Sequence, residues 1–158
     1  MSNLKDDREP ATDSENFYDP VPILIAVAKE LSKRAHAPYS GYRVGAAILT
    51  ADDRVYAGCN VENASYGLSI CAERAAMAAA VAGGEVRLRM VALYAEGGAS
   101  PTCPAADGYP CGACLQWMAE FSDDEKDFEI IIANGVGQIT RHRLHDLLPH
   151  PFRLPRNR

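Results

Sequence analysis

Apolar and polar positions along the chain alternate with two periods, and these periods predict helices interleaved with strands. Residues 22–35 contain Pro22 and follow Pro20, and their apolar positions recur at the spacing of an amphipathic helix. The positions that we assign to this spacing are Ile23, Ala26, Val27, Glu30, Leu31 and Arg34. Residues 69–82 are rich in alanine and end at two glycines, which predicts a second helix.

The rest of the chain continues the alternation. Strands are predicted at residues 44–49, 54–59, 86–95, 128–133 and 138–141, and further helices at residues 111–121 and 143–148. Residues 96–110 are rich in glycine and proline and predict a long loop. Helices between mostly apolar strands are typical of a layered α/β domain, which we place at residues 19–158. Residues 1–18 are polar, and we expect them to form a mobile N-terminal extension.

Composition and charge narrow the classes of function. The 158 residues suffice for one domain, and the net charge is −5. Nucleic-acid binding is disfavoured, because the basic residues cluster only at Arg153, Arg156 and Arg158. No apolar run approaches the ~20 residues that cross a bilayer, and the N-terminus lacks the apolar region of a secretion signal, so we expect a cytoplasmic protein without a membrane partner. Five cysteines favour metal binding or catalysis over a disulfide framework.

Three of these cysteines can share a metal ion. Cys111 and Cys114 are separated by two residues at the start of a predicted helix, where the helix dipole stabilises thiolates. This spacing alone also occurs in redox pairs and in structural zinc sites. Cys71 lies near the start of another predicted helix. Three thiolates from two helices would leave a tetrahedral Zn²⁺ with one open position, as a catalytic site requires.

Two neighbours of Cys71 add further chemistry. Glu73 can place its carboxylate beside the open position, where it would accept a proton from water. Zn²⁺ with three thiolates carries a formal charge of −1, and we expect Arg74 to offset this charge by donating to the sulfurs.

Taken singly, these residues have plainer interpretations. Cys71 is also consistent with a buried cysteine, and Glu73 with an acid in the first turn of a helix. Cys59 and Cys103 have no partner at ligand spacing. The combination of Cys71-x-Glu73 with a later Pro-Cys-x-x-Cys is the zinc-deaminase pattern, with cysteine in place of its histidine ligand.

With these motifs the chain resembles the small, homotetrameric cytidine deaminases that act on free nucleosides, over about residues 22–152. Residues 39–47 resemble the family's first-strand motif, residues 58–66 its ribose-binding segment and residues 147–152 its C-terminal end. The resemblance implies a three-layer α/β/α sandwich around a mixed sheet of about five strands, a homotetramer and one Zn²⁺ per subunit. It implies hydrolysis of cytidine and 2′-deoxycytidine to uridine and 2′-deoxyuridine, with release of ammonia, in pyrimidine salvage.

The resemblance also assigns roles to single residues. Zinc would be bound by Cys71, Cys111 and Cys114, and Glu73 would move protons between water, the base and the leaving amine. Substrate would be bound by Tyr42, Asn60, Glu62, the backbone of Ala72, and Phe152 of a neighbouring subunit. Among these, the amide of Asn60 and the carboxylate of Glu62 can together donate to and accept from the sugar 3′-hydroxyl.

This chain departs from the family pattern at several positions. Tyr109 stands where serine is usual, Leu115 where arginine is usual and Tyr42 where phenylalanine is usual, and the loop at residues 97–109 is long. Because Tyr109 and this loop should lie near the amine of the base, a modified or N4-substituted cytosine nucleoside, including blasticidin-type antibiotics, is a second substrate class. A third alternative is a structural zinc site in a nucleic-acid-binding module, which the negative charge disfavours.

Overall fold

The computed structural model of the chain describes residues 19–96 and 108–155. Within them the helices are α1 (Val21–Ser32), α2 (Ala72–Ala82), α3 (Gly112–Phe121) and α4 (Leu144–Leu147), with a 3₁₀ helix at Tyr66–Leu68. The strands are β1 (Arg43–Thr50), β2 (Val55–Cys59), β3 (Leu88–Glu96), β4 (Glu129–Asn134) and β5 (Ile139–Arg143). The expected extension at residues 1–18, most of the predicted long loop, and Cys103 lie outside the described residues.

The strands form one mixed sheet in the order β2-β1-β3-β4-β5. β1 pairs antiparallel with β2 and with β3, β4 pairs antiparallel with β5, and β3 and β4 are parallel. It follows that β2, β3 and β4 run in one direction, and that α2 and α3 are the crossovers that connect them. This sheet confirms the five mixed strands that the resemblance implied.

Alternate residues of the central strands face two separate cores. In β3, Val91 and Leu93 belong to the core formed with α2 and α3, whereas Met90 and Ala92 belong to the core formed with α1. The sheet therefore lies between α1 on one face and α2 and α3 on the other, which confirms the three-layer sandwich. Within the described residues, no helix is both long enough and apolar enough to span a bilayer.

The buried side of α1 differs from the predicted one. Its buried residues are Val21, Leu24, Ala28 and Ser32, whereas Ile23, which we placed on the periodic face, is 49% exposed. A Cβ on Gly45 of β1 would lie only 1.9 Å from the carbonyl oxygen of Ala28. The helix thus packs on the sheet through its small residues, which a pattern of large apolar residues does not indicate.

The start of α2 was predicted three residues too early. Residues 69–71 precede the helix, and the backbones of Val61 and Ile70 exchange two hydrogen bonds, of 2.9 and 3.0 Å. This bridge keeps the chain extended up to Cys71, whose φ of −75° and ψ of 156° are those of an N-cap residue. The helix therefore begins at Ala72.

Candidate active site

Two helices begin at the same edge of the sheet and bring three cysteines together. Because β2 and β3 run in the same direction, their C-terminal ends lie at one edge, and α2 and α3 follow them. Cys71 and Cys111 are the N-cap residues of these helices, and Cys114 lies in the first turn of α3. Thiolates at helix N-termini are stabilised by free N–H groups and by the helix dipole.

The three sulfur atoms fit a metal ion. The Sγ atoms of Cys71, Cys111 and Cys114 all lie within 4.8 Å of one another, and those of Cys111 and Cys114 are 3.5 Å apart. Tetrahedral zinc with Zn–S bonds of ~2.3 Å needs sulfurs separated by ~3.8 Å, so small shifts suffice. Three soft thiolates suit zinc and leave its fourth position for another group.

Arg74 supplies positive charge to this cluster. Its Nη2 lies 3.7 Å from Cys71 Sγ and donates to the carbonyl oxygen of Ser69 at 3.3 Å. The pKa of Cys71 is lowered to about 5, first by a hydrogen bond from Cys114 and then, against the effect of burial, by Arg74. The guanidinium thus favours the thiolate form that a metal ion requires.

Glu73 is a buried carboxyl group beside the cluster. It is only 5% exposed, and it lies two residues after Cys71 in the first turn of α2. Burial, assisted by the negative charge of Cys71 and opposed by a hydrogen bond from its own backbone, raises the pKa of Glu73 to about 7. A carboxyl group with this pKa can both accept and release a proton near neutral pH.

A cavity of about 280 Å³ opens onto both Glu73 and the cysteines. Its described lining residues are Tyr42, Val44, Asn60, Glu62, Ser69, Ile70, Cys71, Ala72, Glu73, Gly108, Tyr109 and Cys111. Cys114 is fully buried behind this wall. The structure thus brings the catalytic, metal-binding and substrate-binding residues predicted from the sequence into one place, with the exception of Phe152.

Hydrogen bonds fix the polar residues of this cavity. Asn60 Nδ2 donates to the carbonyl of Tyr42 at 2.9 Å, and its Oδ1 accepts from the N–H of Val44 at 2.8 Å. Glu62 Oε2 accepts from the N–H groups of Tyr39 and Ser40 at 2.9 and 3.2 Å, and its Oε1 accepts from the Ser40 hydroxyl. An amide and a carboxylate are therefore held in place on the wall of the cavity that Glu73 and the cysteines also line.

The family described as "Cytidine and deoxycytidylate deaminase zinc-binding region" matches residues 23–128. The chain belongs to this family. A cytidine deaminase of Mycobacterium tuberculosis is 40% identical over 144 residues, which cover 86% of this chain and 94% of that protein. A cytidine deaminase of Sporosarcina psychrophila is 38% identical over 131 residues, 82% of this chain and 88% of that one. The crystal structure of cytidine deaminase from Burkholderia pseudomallei superposes with a TM-score of 0.72 at 40% identity, and covers 83% of this chain and 98% of that chain.

Membership of the cytidine and deoxycytidylate deaminase family identifies the metal. The family is described by its zinc-binding region, and the match contains Cys71, Cys111 and Cys114, the three sulfurs that the fold gathers. The cofactor of the sulfur cluster is zinc.

Phe152 lies apart from the deaminase cavity of its own chain. Its side chain is 70% exposed, while its backbone is tied to α3: its N–H donates to Gln116 Oε1 at 2.9 Å, and Gln116 Nε2 donates to its carbonyl at 2.8 Å. The next residue, Arg153, pairs with Glu125 and donates to the carbonyl of Ala119. The tail therefore holds an aromatic ring outward from the surface.

Leu115 and Tyr109, which both depart from the deaminase family pattern, lie in different parts of the structure. Leu115 is buried in the core between α3 and the sheet, so it does not reach the cavity. Tyr109 lies on the cavity wall. Ser69 and Ile70 also line the cavity, although the sequence pattern placed them inside a helix. His142 contacts Tyr109 with ring centroids 5.1 Å apart, a contact that nothing in the sequence indicates.

Proposed function

We propose that the protein is a zinc-dependent cytidine deaminase that hydrolyses cytidine and 2′-deoxycytidine to the corresponding uridines and ammonia. The observation that carries this proposal is the position of Glu73: a buried carboxyl group opens onto the same cavity as Cys71 and Cys111. A structural zinc site has no use for a proton acceptor beside its ligands. Relatives and solved structures named cytidine deaminase support the same reaction.

Glu73 performs the proton transfers of this reaction. When bound, Zn²⁺ supplies the Lewis acidity that makes water a nucleophile at neutral pH. The Glu73 carboxylate accepts a proton from the attacking water and delivers it to N3 of the pyrimidine. It then accepts the second proton of the same oxygen, now bonded to C4, and delivers it to the amine that leaves. The backbone of Ala72, also on the cavity wall, orients the base.

Asn60 and Glu62 bind the sugar. Both side chains are held by backbone partners. The carboxylate and amide lone pairs and the second amide N–H, which are left for the sugar, therefore point in fixed directions, and binding costs no further rotamer freedom. Among the described residues that line the cavity there is no lysine or arginine, and the Glu62 carboxylate would repel a phosphate. The substrate is therefore a free nucleoside.

The active unit is a homotetramer in which Phe152 enters the cavity of a neighbouring subunit and packs on the base. An aromatic ring that is exposed in one chain, on a backbone fixed to α3, suits this role. Tyr42 lines the cavity that would receive it. Because free thiols persist in a reducing compartment, we place the protein in the cytoplasm.

The test is the ultraviolet absorbance change of cytidine and 2′-deoxycytidine with zinc-loaded protein. We expect turnover that Glu73→Gln lowers by about 10²–10⁴-fold, the usual contribution of a general acid–base group, at unchanged zinc content. Glu85→Gln is the matched control, since Glu85 is also a buried glutamate, at 8% exposure, but pairs with Arg54 outside the cavity. Turnover that survives in Glu73→Gln would contradict the mechanism. A zinc-loaded wild-type protein that is inert toward both nucleosides would contradict the function.

A further inference from the structure

Tyr109 is one of the residues that line the active cavity. The segment before it packs tightly on the sheet: a Cβ on Gly108 would lie 2.9 Å from Cγ2 of Ile132, and Gly108 has a φ of +72° that favours glycine. Tyr109 is two residues before the zinc ligand Cys111, so its Cα lies within about 7 Å of that residue along the chain. Tyr109, which lines the cavity, is therefore close along the chain to a zinc ligand that lines it too.

A second ring holds Tyr109 in this position. The ring of His142, on β5, lies 5.1 Å from that of Tyr109 between centroids, with an angle of 53° between the planes. His142 Nε2 is in turn 3.1 Å from the hydroxyl of Thr140. Aromatic pairs in such tilted arrangements contribute beyond the area that they bury. His142 thus limits the rotation of a tyrosine side chain that is otherwise half exposed.

Tyr109 also lines a second cavity. A cavity of about 240 Å³ is lined by Tyr109 together with Ile132, Asn134, Gln138 and Thr140. Asn134 and Gln138 are hydrogen-bonded to each other in the β4–β5 turn. With Tyr109 in the walls of both cavities, a smaller residue at this position would join them.

We propose that Tyr109, positioned by His142, is the residue that restricts the substrate to cytosine nucleosides with a free exocyclic amine. The inference rests on the proposed function, which places C4 of the base beside Glu73 and the zinc ligands. Tyr109 lines the cavity that holds these groups and is two residues from Cys111, so we expect a substituent on the C4 amine to meet its ring. With the ring removed, the second cavity accommodates the substituent, and N4-methylcytidine reacts with water to give uridine and methylamine.

The experiment measures kcat/KM of the zinc-loaded enzyme for N4-methylcytidine and for cytidine, and compares their ratio among variants. Tyr109→Ser is expected to raise the ratio at least about tenfold, because one methyl group in a closed pocket already changes selectivity by about 10–200-fold. Tyr109→Phe keeps the ring and should keep the wild-type ratio. His142→Ala should raise the ratio through a lower KM for N4-methylcytidine, and His142→Phe, which preserves the ring contact, should restore it.

Ile139→Ser is the matched surface control, since Ile139 is a 53% exposed residue on the same strand that does not line either cavity. The ratio of kcat/KM for N4-methylcytidine to that for cytidine should be the same in Ile139→Ser as in the wild type. The proposal is overturned if Tyr109→Ser and His142→Ala both keep the wild-type ratio, or if the wild-type enzyme uses both nucleosides equally well. These results are distinct from a failure of the proposed function, in which the enzyme would show no Glu73-dependent turnover of cytidine.

Discussion

Arg74 shows how one residue can balance the charge of the whole metal site. Three thiolates exceed the charge of Zn²⁺ by one, and the cluster sits beside the buried Glu73. The guanidinium donates to Cys71 Sγ at 3.7 Å, and its Nε is buried without a hydrogen-bond partner among the described residues. Burying that donor costs free energy, which the attraction between guanidinium and thiolates offsets.

We therefore expect Arg74→Ala to weaken zinc retention. The measurement is the rate at which a chelator removes zinc from the folded protein, followed with a metal-sensitive dye. Loss of a charge-assisted hydrogen bond and of its electrostatic support should accelerate release about tenfold or more. Arg54→Ala removes an arginine that pairs with Glu85 outside the site, and it should release zinc at the wild-type rate. Equal rates for Arg74→Ala and the wild type would contradict the role of Arg74.

At the scale of the residue, the members of the candidate site were predictable and the packing was not. Cys71, Glu73 and the Cys111–Cys114 pair are distinguished by residue type and spacing, so the sequence alone indicates that they share a site. The face that α1 buries depends on where a glycine, Gly45, allows a helix to approach. The Tyr109–His142 contact depends on sheet register between strands. Neither can be deduced from local periodicity.

At the scale of the element, the site depends on how closely α2 approaches the sheet. A Cβ on Gly58 of β2 would lie 2.6 Å from the backbone nitrogen of Ala76 in α2. Gly45 holds the corresponding position under α1 on the opposite face of the sheet. α2 carries Cys71 and Glu73, whereas α1 carries no residue of the cavity wall.

These two glycines provide a matched pair of variants. Gly58→Ala and Gly45→Ala should each lower the free energy of unfolding by about 1–3 kcal/mol, as overpacking does, measured by urea denaturation. Only Gly58→Ala displaces α2, so only this variant should also release zinc faster from the folded protein. A Gly45→Ala variant that loses zinc equally fast would show that the site does not depend specifically on α2.

Element order was predictable because alternating apolar strands and helices leave few arrangements of an α/β layer. The boundaries of the helices and strands were less predictable. The sequence from residue 69 to 71 has no helix-breaking residue, and the pairing of Ile70 with Val61 keeps it extended. That pairing joins residues from different parts of the chain, and it is what places Cys71 at the helix N-cap.

At the scale of the whole molecule, the proposed function requires that subunits share active sites. In this proposal, a site combines Glu73 of one subunit with Phe152 of a neighbour. Phe152→Ala removes one contribution and Glu73→Ala the other, so homotetramers of either variant should have low activity at subsaturating cytidine. When equal amounts of the two are unfolded and reassembled together with zinc, about a quarter of the sites should regain both residues if subunits mix at random.

The measurement is kcat/KM for cytidine before and after mixing, with each variant reassembled alone as the control. Recovered activity that exceeds the sum of the two variants is expected. Activity that stays at this sum, in mixed tetramers verified by mass spectrometry, would contradict a shared site.

The order of events during folding follows from the chain positions of the three sulfurs. Cys71 and Cys111 lie on either side of β3, the strand that pairs with β1 on one side and β4 on the other. In the native arrangement the sulfurs meet because β2 and β3 both flank β1, so that the helices that follow them begin at one edge. We expect zinc capture to report the pairing of these three strands, a long-range event that tends to form late, and a nascent chain released before residue 114 has no complete set of ligands to offer the metal.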